Sequence, residues 1–293
     1  MSKPQSHFVD VRGLKIHYLE WGEPDGEPLI LVHGYRDHAQ SWNYFVDALR
    51  AKTERPLWII APDCRGHGDS GWVGAGGYYY FPDYVHDLDC VIDSLKVPSV
   101  TLVGHSMGGT ISFMYTGTFP QRVRKLVLIE GMGPLGMTFS DAPPRVETFL
   151  SQMKSIRDGT TVEYASFEYP SLEDAAKRFH RVNPRLTAER ALELTRWGMH
   201  QNGNGNWMWK FDPLHRTTSP LPFYTEQAIA FYRRIECPVL VIFGTESRQA
   251  PRPDLQQRLA SIRHHRQVSI TRAGHMVHQD NPDDLAGEIL RFI

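Results

Sequence analysis

The chain has 293 residues, enough for one large α/β domain or for a core carrying an insert. Its 32 Lys and Arg against 33 Asp and Glu leave a net charge of −1, so it carries no basic footprint for nucleic acid or an anionic membrane surface. With 41% hydrophobic and 22% charged residues the composition is globular and excludes long-range disorder.

In chain order, residues 8–11 and 14–21 flank Arg12-Gly13 as an antiparallel hairpin. From Leu29 the texture changes to short, uninterrupted apolar runs: Leu29-Ile30-Leu31-Val32, Leu57-Trp58-Ile59-Ile60, Val100-Thr101-Leu102-Val103, Leu126-Val127-Leu128-Ile129 and Val239-Leu240-Val241-Ile242-Phe243. Runs of this kind suit central parallel strands buried on both faces. Helix-length segments at 41–52, 83–95, 107–118 and 254–262 separate them, which predicts an α/β fold with a mostly parallel sheet and helices on both faces.

After Gly131 this rhythm stops. Helical pieces at 144–157, 172–181 and 187–200 follow with no β-like run between them, and the rhythm resumes at 224–234 and 238. A strand at 267–271 and a helix at 282–293, begun by Asn281-Pro282, close the chain. The expected organisation is a core of residues 1–131 and 223–293 and a helical lid, 132–222, inserted after the sixth strand. The glycine-rich stretch 74–77 with Tyr78-Tyr79-Tyr80, and the Asn202-Gly203-Asn204-Gly205-Asn206 stretch, read as turn-rich loops. No apolar run approaches the ~20 residues of a membrane span, and residues 1–10 lack the apolar heart of a secretory signal, so the expected compartment is the cytoplasm. Cys64, Cys90 and Cys237 are odd in number and scattered, which argues for reduced core thiols and against disulfides or zinc. No metal or cofactor is expected.

The chemistry concentrates at Val103-Gly104-His105-Ser106-Met107-Gly108-Gly109, where a buried strand runs straight into a serine flanked by glycines and then into a helix. A strand-to-helix turn this tight needs small residues two before and two after the serine. A serine hydroxyl needs a base to become nucleophilic, and Ala273-Gly274-His275, between the last strand and the last helix, places His275 to serve. His278, and the pair His264 and His265, read as loop or surface histidines rather than metal ligands.

Together, His33-Gly34 after a strand, the Asp63-Cys64-Arg65-Gly66-His67-Gly68-Asp69-Ser70 stretch, the Ser106 turn and Gly274-His275 resemble the α/β-hydrolase fold family across nearly the whole chain. The stretches Glu130-Gly131-Met132-Gly133-Pro134, Asn183-Pro184-Arg185-Leu186 and Asp212-Pro213-Leu214-His215-Arg216 resemble its serine hydrolase-like, esterase-type branch. The resemblance implies an oxyanion hole made by the backbone N–H groups of Tyr35 and Met107. It casts Asp63 and the following turn as architecture. It also exposes a departure: the family's usual acid lies three residues beyond the glycine ending the seventh strand of the core, and here that residue is Ser247. Two carboxylates can substitute. Glu130, directly after the sixth strand, is favoured, because certain haloalkane dehalogenases take their acid from there; Glu246, one residue short of the usual place, is the alternative.

Trp197, Trp207, Trp209, Phe211, Phe223 and Tyr224 in and beside the insert suggest an apolar pocket, although rings of this kind also serve to glue an insert to a core. No cluster of Lys or Arg in the insert calls for an anionic substrate. The sequence thus predicts a serine hydrolase for a small apolar or aromatic carboxylic ester, with Ser106, Glu130 and His275 as triad. The same machinery acting on a lactone, thioester, amide or carbon–carbon bond, and a non-catalytic relative that binds a small ligand, remain open.

Overall fold

A computed structural model describes residues 3–74, 76–160, 168–247 and 253–293; Ala75, within the glycine-rich stretch, lies outside them. Strands β1 (Gln5–Val11) and β2 (Leu14–Trp21) form the expected antiparallel hairpin, with Arg12 and Gly13 both at positive φ in its turn. β3 (Glu27–Val32), β4 (Leu57–Pro62), β5 (Val100–His105) and β6 (Val123–Ile129) follow. Two short strands, β7 (Met199–Gln201) and β8 (Trp207–Trp209), pair with each other apart from the main sheet. β9 (Val239–Gly244) and β10 (His265–Ile270) complete an eight-stranded sheet in the order β1-β2-β4-β3-β5-β6-β9-β10. Only β1 and β2 run antiparallel to their neighbours.

The period-2 geometry of a strand sends successive side chains to opposite faces, and the core divides accordingly. Leu102, Leu126, Leu128, Val239 and Val241 face one apolar cluster, completed by α2 (Phe81–Ser94), α3 (Met107–Thr118) and later helices; Val103, Val127, Ile129, Leu240 and Ile242 face the other. That second cluster is closed by α1 (Asn43–Ala51) and by the C-terminal helix Pro282–Phe292. Leu128 has no exposed surface, so Leu128→Ala is expected to lower unfolding free energy by about 2–5 kcal/mol, measured by denaturant titration.

Between β6 and the return to the core lie α4 (Ala142–Arg157), α5 (Leu172–Val182) and α6 (Ala188–Gly198), then the β7–β8 hairpin and a short turn of helix at Pro213–Arg216. The hairpin corrects the expectation of an insert without β structure. Its strands are three residues long, too short to leave an alternation signal, and they pair across the expected turn, where Asn202 N–H donates to Asn206 O at 2.8 Å. The core resumes with α7 (Thr225–Tyr232), α8 (Leu255–Leu259), α9 (Val277–Asp280) and α10 (Pro282–Phe292). Among the described residues no helix is long and apolar enough to cross a membrane. Cys64 and Cys237 are buried and Cys90 half-buried; all three are free thiols.

Candidate active site

Ser106, Glu130, Ser247 and His275 all sit just past the C-terminal ends of parallel strands, β5, β6, β9 and β10, where open α/β sheets gather their functional loops. Ser106 has φ 52° and ψ −113°, a conformation that L residues avoid at a cost of about 1–3 kcal/mol. The neighbouring glycines make this turn possible. A Cβ on Gly108 would stand 2.1 Å from Val32 O, and one on Gly104 would stand 2.4 Å from Gly108 O. The serine is thereby held between β5 and the N-terminus of α3, whose dipole presents its positive end there.

His275 Nε2 lies 3.0 Å from Ser106 Oγ, and His275 Nδ1 lies 3.5 Å from Glu130 Oε2. The Glu130 side chain is wholly buried, and its backbone also has positive φ, 50°. Two donors fix its carboxylate. Gly244 N–H reaches Oε1 at 2.8 Å and the Ser247 hydroxyl reaches Oε2 at 2.7 Å. Ser247, which the sequence presents as a missing acid, is thus a hydrogen-bond donor to the carboxylate that faces His275. Glu246 turns elsewhere: its Oε2 accepts from Arg185 Nε at 2.8 Å, with about half of its side chain exposed. A Cβ on Gly244 would lie 2.3 Å from the carbonyls of both Ala273 and Gly274, so this glycine lets β9 touch the His275 loop.

The loop after β3 approaches Ser106 closely, since a Cβ on Gly34 would meet the His105 ring at 2.6 Å and Ser106 Cβ at 3.3 Å. His33 braces that loop: Nδ1–H donates to Gly34 O at 2.7 Å, and Nε2 accepts from Cys64 N–H at 2.9 Å. Among the described residues the N–H groups of Tyr35 and Met107 have no hydrogen-bond acceptor in the protein; Met107 opens α3, where no intrahelical acceptor exists. Asp63 accepts from Ala39 N–H, Asp69 N–H and His17 Nδ1 at 2.7, 2.9 and 2.7 Å. Despite full burial, these donors and the nearby histidines hold its carboxyl below the usual carboxylate range.

Behind the site the structure corrects one expectation. His278 is not a loop or surface histidine but fully buried, its ring 4.4 Å from that of Trp42 and its Nε2 3.3 Å from Asp37 Oδ2. Local sequence gave no sign of this, because its partners lie some 240 residues away. Exposed His264 and His265 are at the surface as expected. His105, also buried, donates Nε2–H to the His275 carbonyl at 2.8 Å, and burial pushes its pKa well below the ordinary histidine value, so it stays neutral. Asp280 steadies the same loop from the other side, accepting from Gly274 N–H at 2.8 Å and from Asn183 Nδ2 of the insert at 3.0 Å. Asp280→Ala, which removes both bonds, is expected to loosen the His275 loop and its tie to the insert, measured as faster amide hydrogen exchange at Gly274.

Ser106, Met107, Tyr35 and Glu130 line one cavity of about 930 Å³. Of the six aromatic residues read as either pocket wall or glue between insert and core, Phe223 alone lines it. Trp207 and Trp209 pack with Leu172 and Met199, Trp197 packs with Tyr44 and Phe179, and the Tyr224 ring stands 4.9 Å from that of Phe139. The aromatic wall comes instead from Tyr35, Tyr78, Tyr79, Tyr80, Phe81 and Tyr84. Most of these belong to the stretch directly after the glycine-rich loop. Three consecutive tyrosines were the available signal.

The family model of the alpha/beta hydrolase family matches residues 29–288. A protein of Drosophila melanogaster described as a probable serine hydrolase is 29% identical over 280 residues, covering 93% of this chain and 82% of that protein. Among solved structures, a hypothetical protein from Pseudomonas aeruginosa superimposes with a TM-score of 0.83 at 27% identity, over 98% of this chain and 96% of the other. The thioesterase domain from the curacin biosynthetic pathway shares the fold with a TM-score of 0.81 at 24% identity, over 99% of this chain and the whole of that one.

Proposed function

The chain belongs to the alpha/beta hydrolase family, and on that premise we propose that it is a serine hydrolase cleaving a carboxylic ester of a small, largely apolar molecule through an acyl-enzyme. The observation that carries the reading is the contact of Ser106 Oγ with His275 Nε2 at 3.0 Å, with Ser106 on the wall of the large cavity together with Tyr35 and Met107, whose amides are unengaged. In this reading His275 accepts the Ser106 proton as Oγ attacks the ester carbonyl. The negative charge forming on the carbonyl oxygen is received by the N–H groups of Tyr35 and Met107, each worth several kcal/mol of barrier in a water-poor site. His275 then returns the proton to the departing alcohol, and a water activated by the same imidazole releases the acid.

Glu130 is assigned the role of holding His275 with Nε2 free to accept, and of stabilising the imidazolium. Its 3.5 Å separation from Nδ1 is longer than an ordinary hydrogen bond and is expected to close as the ring becomes charged. Residues 132–222 are proposed as the lid over the cavity, since Leu214, His215 and Thr218 reach its lining from this insert. The free thiols fit the cytoplasm.

A panel of short and medium nitrophenyl esters, with one thioester and one lactone, tests the assignment. Turnover of the esters is expected, fastest for uncharged apolar acyl groups among the neutral members. If the folded protein turns over only the thioester or the lactone, the bond is assigned wrongly. If it turns over nothing, the ester reading fails and the balance moves to a non-catalytic relative that binds a small ligand, or to an amide or carbon–carbon bond.

A further inference from the structure

Arg145 stands in the first turn of α4 and lines the same cavity as Ser106. A cation at that end of a helix opposes the helix dipole, so helix stability does not account for it. Nor does a direct ion pair: its buried Nε has no hydrogen-bond partner, and among the described residues no carboxylate is in contact with its guanidinium. The acid one turn before it, Asp141, takes its hydrogen bonds from Thr138, whose N–H and hydroxyl reach Asp141 Oδ2 at 2.7 and 2.8 Å; these bonds first, and the Arg145 charge last, hold that carboxyl below the usual range, with no direct contact between the two. Among the described lining residues Arg145 is the one side chain with a permanent positive charge. The lining carboxylate, Glu130, is already committed to Gly244 and Ser247.

We propose that Arg145 is a specificity residue that receives a carboxylate or equivalent anion at the far end of the substrate, so that the ester cleaved at Ser106 belongs to an amphipathic molecule: an apolar chain with an anionic terminus. This rests on the ester-cleaving reading of Ser106 and deepens it. A guanidinium offers a planar fork suited to a carboxylate, and partial burial beside aromatic walls strengthens the pairing relative to water. Tyr78, its ring 5.1 Å from that of Phe149 one turn farther along α4, shares a hydrogen bond with Thr217 Oγ1 at 2.8 Å, so the wall beside α4 carries polar groups as well. The aromatic and Met side chains that also line the cavity match an uncharged middle section.

The test compares mono-nitrophenyl esters of adipic and suberic acid with nitrophenyl esters of the same chain length ending in methyl. The dicarboxylic chains are long enough that their own carboxylate does not attack the ester. In the native protein kcat/KM is expected to favour the anionic ester, and that ratio is expected to fall about tenfold in Arg145→Gln, to be largely kept in Arg145→Lys, and to shrink as salt is raised. A native ratio at or below one, or a ratio unmoved by Arg145→Gln, overturns the proposal. Titration calorimetry on Ser106→Ala with both chains reads the preference without turnover. Tighter binding of the anionic chain there, dependent on Arg145, supports the subsite even if ester cleavage itself fails; equal binding overturns it.

Discussion

Ser106→Ala is expected to lower kcat on a nitrophenyl ester by about 10⁴-fold or more, a barrier increase of roughly 5 kcal/mol, while the protein stays folded. The size of the effect follows from what is removed: the atom that, in the proposed mechanism, forms the covalent bond. Residual rate would come from the unengaged amides of Tyr35 and Met107 and from binding in the cavity. The backbone at this position is unaffected, because the Ser106 N–H bond to Ile129 O, 2.9 Å, does not involve the side chain. Thermal unfolding at or above the native midpoint separates loss of chemistry from loss of structure. A loss of under tenfold would mean that another group supplies the nucleophile.

Glu130→Gln is expected to cost about 10³- to 10⁴-fold in kcat, since an amide can neither fix the imidazole with Nε2 as acceptor nor neutralise the imidazolium. The structure supplies a sharper version. Ser247 Oγ lies 2.7 Å from Glu130 Oε2, so a carboxylate at 247 would stand close to the one it replaces. The double variant Glu130→Gln with Ser247→Asp is therefore expected to recover at least tenfold over Glu130→Gln alone, whereas Ser247→Asp by itself crowds two negative charges and weakens the native arrangement. Glu246→Gln is expected to change kcat by less than threefold, because that carboxylate pairs with Arg185. Should Glu246→Gln abolish turnover while Glu130→Gln spares it, the acid has been assigned to the wrong strand end.

Much of this was legible in the sequence because it is written locally. Leu126 to Ile129 and Val239 to Phe243 announce strands buried on both faces, and the glycines around Ser106 announce a turn that no larger residue fits. What stayed hidden depends on contacts between distant segments. The Ser247 hydroxyl bonds to a carboxylate 117 positions earlier, and Asp280 joins the His275 loop to Asn183, 97 positions away. His278 is buried under Trp42 because the last loop folds back on α1's approach, a placement that no spacing rule encodes. The insert tryptophans were legible as apolar, but not which surface each covers: Trp207 and Trp209 pack within the insert, whereas Trp197 also meets Tyr44 of α1; Tyr78 to Phe81 line the cavity because the chain enters α2 there, with Phe81 as its first residue.

The central claim is that the Ser106 hydroxyl is activated by His275, and covalent capture tests it most directly. After incubation with a fluorophosphonate, intact-mass and peptide mapping are expected to show one adduct, on Ser106, formed rapidly in the native protein, absent from Ser106→Ala and slowed at least 100-fold in His275→Ala. Native protein that is folded yet carries no adduct, or an adduct mapping to another residue, would contradict the account.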